Sequence, residues 1–324
     1  YHAYYCALEG ELDVSMLKGL GGDFNVSHNY SGFTNFYGNL QNIKFPSNNR
    51  PISINAAKCN LQNNLDVSMM SGMTYLNVSH NVNLSGITIQ DNHKYPLTIV
   101  AHYKTGHNTP TTPLKSWGTL DVSHISGLTS LDVRYNTQLS GLTLPTSTNP
   151  MYITADAADI QPNLDLTPCG GLKYLIANHN TKLKSVSFTS SVEDIERINL
   201  SYCDLQDILD ISMLDSLGIG DPLGATFTNA GGIFDVSHNP NLTTISHPPT
   251  TNLIYNFNVG NCDIKPHLDL SNYSIGVGNA HTNQYFWGYL NISGNINLTS
   301  VTHSASPTYI RKYECSYTGV KELD

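Results

Sequence analysis

One tetrapeptide recurs along the whole chain. Leu-Asp-Val-Ser begins at Leu12, Leu65 and Leu120, variants begin at Leu164, Leu209 and Leu268, and a partial copy starts at Leu323. The steps between copies are 53, 55, 44, 45, 59 and 55 residues. A shortest step near 44, with longer steps above it, is the mark of a fixed unit that carries insertions. Short units of this kind cannot bury an apolar face alone, so they stack and share one core. That restricts 324 residues to a repeat array rather than two ordinary domains.

The unit divides in two. An asparagine follows the repeat leucine in each copy: Asn29, Asn81, Asn136, Asn180 and, after insertions, Asn239 and Asn295. A cysteine lies six residues before four of the leucines: Cys6, Cys59, Cys203 and Cys262. Cys59 to Asn81 is 22 residues and Asn180 to Cys203 is 23, so the period is about 22, with asparagine and cysteine units alternating. Each unit has a strand pattern. In "MTYLNVSHN" (73–81), Met73, Leu76, Val78 and Asn81 are expected inside, while Asn77 and Ser79 alternate with them on the other face. Glycine, asparagine and β-branched residues between strands disfavour long helices.

The form LxxLxLxxN, with cysteine allowed in place of asparagine, resembles the leucine-rich repeat. The run "YECSYTGVKELD" (313–324) is similar to bacterial surface repeats of the Bacteroidetes kind, with Thr318 where those carry asparagine. The resemblance covers essentially the whole chain. It implies a leucine-rich repeat solenoid of about thirteen ~22-residue coils, a parallel β-sheet on the concave face, a mostly irregular or short-strand convex side and little helix. Residues 1–324 are expected to form a single domain without a polar cap at either end.

Within such a solenoid the conspicuous residues have structural roles. The six asparagines should form a buried ladder whose amides bond the turns of neighbouring coils. The four cysteines should be small buried thiols in the equivalent place. They lie too far apart for disulfides, and Cys315 falls at an inward position of its unit. His28, His80, His179 and His238 share one column before the ladder asparagine and read as residues of the solvent-edge turn. Asp13, Asp66, Asp121, Asp165, Asp210 and Asp269 form another column, expected to accept hydrogen bonds from turn amides. No catalytic motif, metal site or cofactor site is expected. The chain has nine glycosylation sequons, and their excess over what composition gives follows from the repeat spelling; Asn29 should be buried, whereas Asn25, Asn77, Asn199 and Asn291 should face outward and be open to a glycan in a eukaryotic secretory host.

Composition narrows the function. Charged residues are 13% of the chain and the formal net charge is −9, which disfavours a nucleic-acid partner. No apolar run reaches the length of a membrane span. The expected role is a non-enzymatic extracellular or cell-surface scaffold that binds a protein or carbohydrate ligand on its concave face or insertion loops. Insertions fall at 30–51, 105–117, 213–232 and 272–288, the last carrying Tyr285, Phe286 and Trp287 as a candidate binding loop. The alternative is a filament subunit assembling head to tail, with Tyr1, Tyr4 and Tyr5 meeting Tyr309, Tyr313 and Tyr317 of a neighbour. A glycan-active enzyme is the remote third reading.

Overall fold

The computed structural model describes residues 1–29, 39–89, 95–103, 118–190, 192, 195–214, 217–218, 232–250, 252–279, 284–286, 288–305 and 309–321. Backbone contacts divide the chain into two compact units, Tyr1–Asp159 and Ile160–Asp324. Each is a repeat solenoid with a parallel sheet, and the described residues contain no helix.

In the first unit the strands Gly22–Asn25, Ile52–Asn55, Met73–Asn77, Leu97–Val100, Leu128–Asp132 and Met151–Thr154 pair in parallel in chain order. His2 bridges to Asn25 ahead of them, giving seven coils. In the second unit the parallel order is Leu172–Ile176, Arg197–Asn199, Gly232–Asp235, Asn252–Asn258, Gly288–Asn291 and Ile310–Glu314, giving six more and thirteen in all. Tyr273–Ile275 pairs with the first half of Asn252–Asn258, and Gly288–Asn291 takes over the second half.

Strand alternation places the core. Phe24, Ile54, Leu76, Ile99, Leu131 and Ile153 are in register and buried in the first unit. Leu175, Ile198, Phe234, Phe257 and Leu290 do the same in the second. Met73, Leu76, Val78 and Asn81 are all buried, as the sequence predicts. The opposite side of each unit holds short parallel pairs. These are Glu9–Asp13 with Asn39–Lys44, Gln62–Asp66 with Asn83–Thr88, Gly118–Asp121 with Leu139–Thr143, Asn163–Asp165 with Ser185–Ser187, Gln206–Asp210 with Asn241–Ser246, and His267–Asp269 with Ser300–Thr302. The tetrapeptide that betrays the repeat therefore lies on these short pairs, not on the long sheet.

Both ladders form. The six asparagines are 0–6% exposed. Asn81 Oδ1 accepts from the N–H groups of Cys59 (3.0 Å) and Leu61 (2.9 Å), and its Nδ2 donates to Ala56 O (2.9 Å) and Val78 O (2.8 Å). The cysteine coils use one donor. The thiols of Cys59, Cys203 and Cys262 reach the carbonyls of Val26, Ala177 and Val236 in the preceding asparagine coil. Thr318, standing in the ladder column of the last coil, donates to Cys315 O at 2.9 Å, as Asn81 does to Val78.

Two cysteines depart from the expectation of burial. Cys6 is exposed, and its thiol bonds to Tyr4 O within its own coil, whereas its three equivalents reach a carbonyl of the preceding coil. Cys315 occupies the inner column beside Ile292 yet is exposed. Cys169, by contrast, is buried in the turn of its coil.

Candidate recognition surface

The turn into each ladder position repeats one backbone device. The residue just before it adopts a left-handed conformation: Tyr5, His28, Lys58, His80, Tyr135 and Ala157 in the first unit, and His179, Tyr202, His238, Asn261, Gly294 and Tyr317 in the second. This turns the next side chain inward, at a local cost that the ladder hydrogen bonds offset. The histidines thus are turn residues at the sheet edge, but the residue preceding each cysteine shares their column. Consecutive coils therefore stack rings. Tyr5 lies on His28 with centroids 4.8 Å apart, and Tyr202 is sandwiched between His179 (4.7 Å) and His238 (4.1 Å) with interplanar angles of 6° and 10°. The sequence reading aligned the histidines only with one another, two coils apart. Aligning the residue before cysteine with the residue before asparagine reveals the ridge.

The outward face of the long sheet is set by the same alternation. In the first unit Ser53, Tyr75, Thr98, Ser130 and Tyr152 lie side by side, with Tyr152 42% exposed. Asp23 precedes Ser53 in this row; beyond it the row is uncharged and ends in a tyrosine. In the second unit the matching row is Tyr174, Arg197, Ile233, Asn256, Tyr289 and Lys312. Two tyrosines here make the same arrangement. Tyr174 donates its hydroxyl to Glu196 (2.6 Å) with Arg197 over its ring at 5.8 Å, and Tyr289 donates to Glu314 (2.5 Å) with Lys312 over its ring at 5.1 Å. Burial and the Glu314 carboxylate push the Tyr289 phenol up to about 12.

A charged cluster also lies on this face of the first unit. Asp132 is held by Arg134 through two hydrogen bonds (2.9 and 2.8 Å) and by His102 Nδ1 at 3.1 Å. Burial pushes the Asp132 carboxyl up, but these bonds outweigh it and leave it below the usual carboxylate range. His80 packs against His102 with centroids 5.3 Å apart, and burial, then the neighbouring His102, lowers its pKa to about 4.

The other sequence candidates are placed as follows. The aspartate column is a set of turn caps: Asp13, Asp66, Asp121, Asp165, Asp210 and Asp269 accept from the N–H two residues on at 2.8–3.0 Å. Asn25, Asn77, Asn199 and Asn291 do the same on the long sheet, accepting from Ser27, Ser79, Ser201 and Ser293. Their amides are half-buried and committed to the turn through Oδ1, so they face outward without being free. Burial pushes the thiols of Cys59, Cys169, Cys203 and Cys262 up to about 12, leaving them protonated and poor nucleophiles. Tyr1 stacks on Phe24 at 5.2 Å, Tyr4, Tyr5 and Tyr317 are exposed, and Tyr309 and Tyr313 are half-buried. Tyr285 and Phe286 sit in Gln284–Phe286, which pairs antiparallel with Val277–Asn279. Trp287 and much of the other insertions (30–38, 104–117, 219–231) lie outside the described residues.

These features define a class, a parallel-strand repeat solenoid with an aromatic and polar outer sheet face. Compared with protein-family models, curated proteins and solved structures, the chain matches none.

Proposed function

We propose that this chain is a leucine-rich repeat scaffold of the extracellular or cell-surface kind, non-enzymatic, which recognises a protein or carbohydrate ligand on the outer face of its long sheet. The observation that carries the reading is a tyrosine recurring at one outward strand position within each unit. Tyr75, Tyr152, Tyr174 and Tyr289 stand at matching positions on strands whose opposite face is fully used by the core. An amphipathic ring with a polar tip is the side chain that binding surfaces favour. In the first unit the side chains between the rings, Thr98 and Ser130, are small hydroxyls that leave room for a ligand. The test is a binding screen against glycans and surface proteins, followed by Tyr75→Ala with Tyr152→Ala. A ligand bound by the parent at micromolar strength should be lost from the double variant with the melting temperature retained; binding that survives it removes this face as the site.

A second reading, a filament subunit, is favoured by the exposed inner-column thiol of Cys315 and by exposed Tyr4, Tyr5 and Tyr317 on the terminal coils. End-to-end stacking would cover these groups and pair the open edge of Ile310–Glu314. Sedimentation of the parent against Tyr5→Glu/Tyr313→Glu separates the two readings. Concentration-dependent fibres abolished by the substitutions support the filament, and a monomer at every concentration eliminates it.

A further inference from the structure

Coils of the first unit enter the long sheet in two ways. Three enter through proline, at Arg50-Pro51, Tyr95-Pro96 and Asn149-Pro150, and the coils between them enter through Ser71-Gly72 and Ser126-Gly127. Proline fixes its own φ and holds the residue before it extended, so the side chain before each proline has a set place on the sheet's entry edge. Glycine leaves its own place on that edge without a side chain. Leu97 N–H donates to Gly127 O at 2.9 Å, which seats the Ser126-Gly127 coil against the Tyr95-Pro96 coil. A notch follows, with Tyr95 on one side, Asn149 on the other, and Ser126 and Gly127 between them. Its volume is about 350 Å³, near the small end of the roughly 300–1,000 Å³ of small-ligand sites.

The lining is polar and uncharged. Thr129 donates its hydroxyl to Leu97 O (3.2 Å), which fixes that side chain and leaves the oxygen lone pairs to accept. Asn149 is exposed, and its carboxamide offers two donors and an acceptor. Its N–H donates to Ser147 Oγ (3.1 Å), so its place is held by its own turn. Ser126, also exposed, adds a hydroxyl, while the Tyr95 ring and the rings of Pro96 and Pro150 supply the apolar part. Two strand spacings of about 4.8 Å set Tyr95 and Asn149 roughly 9.6 Å apart. With contact distances of about 3.5–4 Å on either side, that width admits one ring, a puckered one included, and not two. A charged ligand would find no opposite charge in this lining. A peptide strand would need an open sheet edge, whereas the three strands here pair with one another. We propose that the notch seats one neutral pyranose unit of an oligosaccharide, with Ser126, Thr129 and Asn149 bonding its hydroxyls and Tyr95 against its ring. This rests on the outer face being the recognition surface: Pro96, Thr129 and Pro150 lead into the strands that carry Thr98, Ser130 and Tyr152, so further sugar units lie along that row.

The test is calorimetric titration of the whole chain with neutral gluco-, manno- and galacto-configured tetrasaccharides at up to millimolar concentration, with a uronic-acid tetrasaccharide as the charged comparison. One neutral series is expected to bind, and more tightly than the charged one. Asn149→Ala should weaken it about 5- to 10-fold, the loss of one hydrogen bond or two, and Tyr95→Ala by at least as much. Ser126→Phe, which fills the notch from an exposed position, should abolish binding with the melting temperature retained. Tyr75→Ala/Tyr152→Ala separates this inference from the reading on which it rests. Binding lost in that pair but unchanged in Asn149→Ala and Ser126→Phe overturns the notch and leaves the sheet face standing. Binding lost in the notch variants and kept in the tyrosine pair supports the notch and removes the face. Absence of binding by every neutral saccharide, or tighter binding of the uronic-acid chain, overturns the proposal.

Discussion

Removing one rung of the asparagine ladder tests the whole stacking scheme. Asn81→Ala deletes two hydrogen bonds from the turn of the preceding coil, two to the carbonyls of Ala56 and Val78, and a long one to Ser79 O (3.5 Å). The side chain is 6% exposed, so solvent does not readily replace them. Two buried N–H groups left without partners cost roughly 1–3 kcal/mol each, and the carbonyls, with two lone pairs, add less. An expected loss of about 4 kcal/mol converts to a fall in melting temperature of roughly 8–16 °C for a unit of this size. The comparison is Asn77→Ala, four residues earlier at the end of the strand Met73–Asn77. Asn77 is half-buried and accepts only from Ser79, through N (3.0 Å) and Oγ (2.7 Å), so its loss should cost about 1 kcal/mol. The sequence suggested an inert surface position there; the turn bond makes it a modest contributor. Thermal unfolding gives the ranking, and hydrogen exchange gives the location, because the Cys59 and Leu61 amides should lose protection in Asn81→Ala and keep it in Asn77→Ala. Equal melting shifts, or unchanged protection of those two amides, would refute the ladder as the element that joins the coils.

Three further outcomes follow from the same geometry. Gly72→Ala should destabilise by about 3 kcal/mol or more, since a Cβ there would sit 2.0 Å from Arg50 O; a melting temperature within 2–4 °C of the parent, the shift of about 1 kcal/mol, contradicts that packing. An Ellman-type reagent should label Cys6 and Cys315 in the native protein and reach Cys59, Cys169, Cys203 and Cys262 only after unfolding; mass spectrometry of labelled peptides checks this. Burial lowers His247, which also bonds Tyr273 OH at 2.9 Å, to about 4, so the folded state binds fewer protons than the unfolded state between pH 4 and 6.5. Stability should therefore fall as pH drops through that window, by at most roughly 3 kcal/mol from this group, and His247→Gln should flatten that part of the denaturant-midpoint profile; an unchanged slope would show that His247 does not titrate with unfolding.

The periodic part of this protein was legible in the chain. Coil count, the inward phase of Leu76 and Val78, the buried asparagines and the capping aspartates all follow from a spacing that recurs, because a coil of about 22 residues has one way to bury its apolar side and turn. What lies between coils was not. The ring stack of His179, Tyr202 and His238 depends on which coil sits on which, and so does the pairing of Tyr289 with Glu314. The exposure of Cys6 and Cys315, which stand in columns that are buried in other coils, is encoded by no local pattern. Sequence determined each coil and its inner face, whereas tertiary stacking decided the outer face, since side chains from residues 20 to 40 apart meet only through the register of adjacent strands.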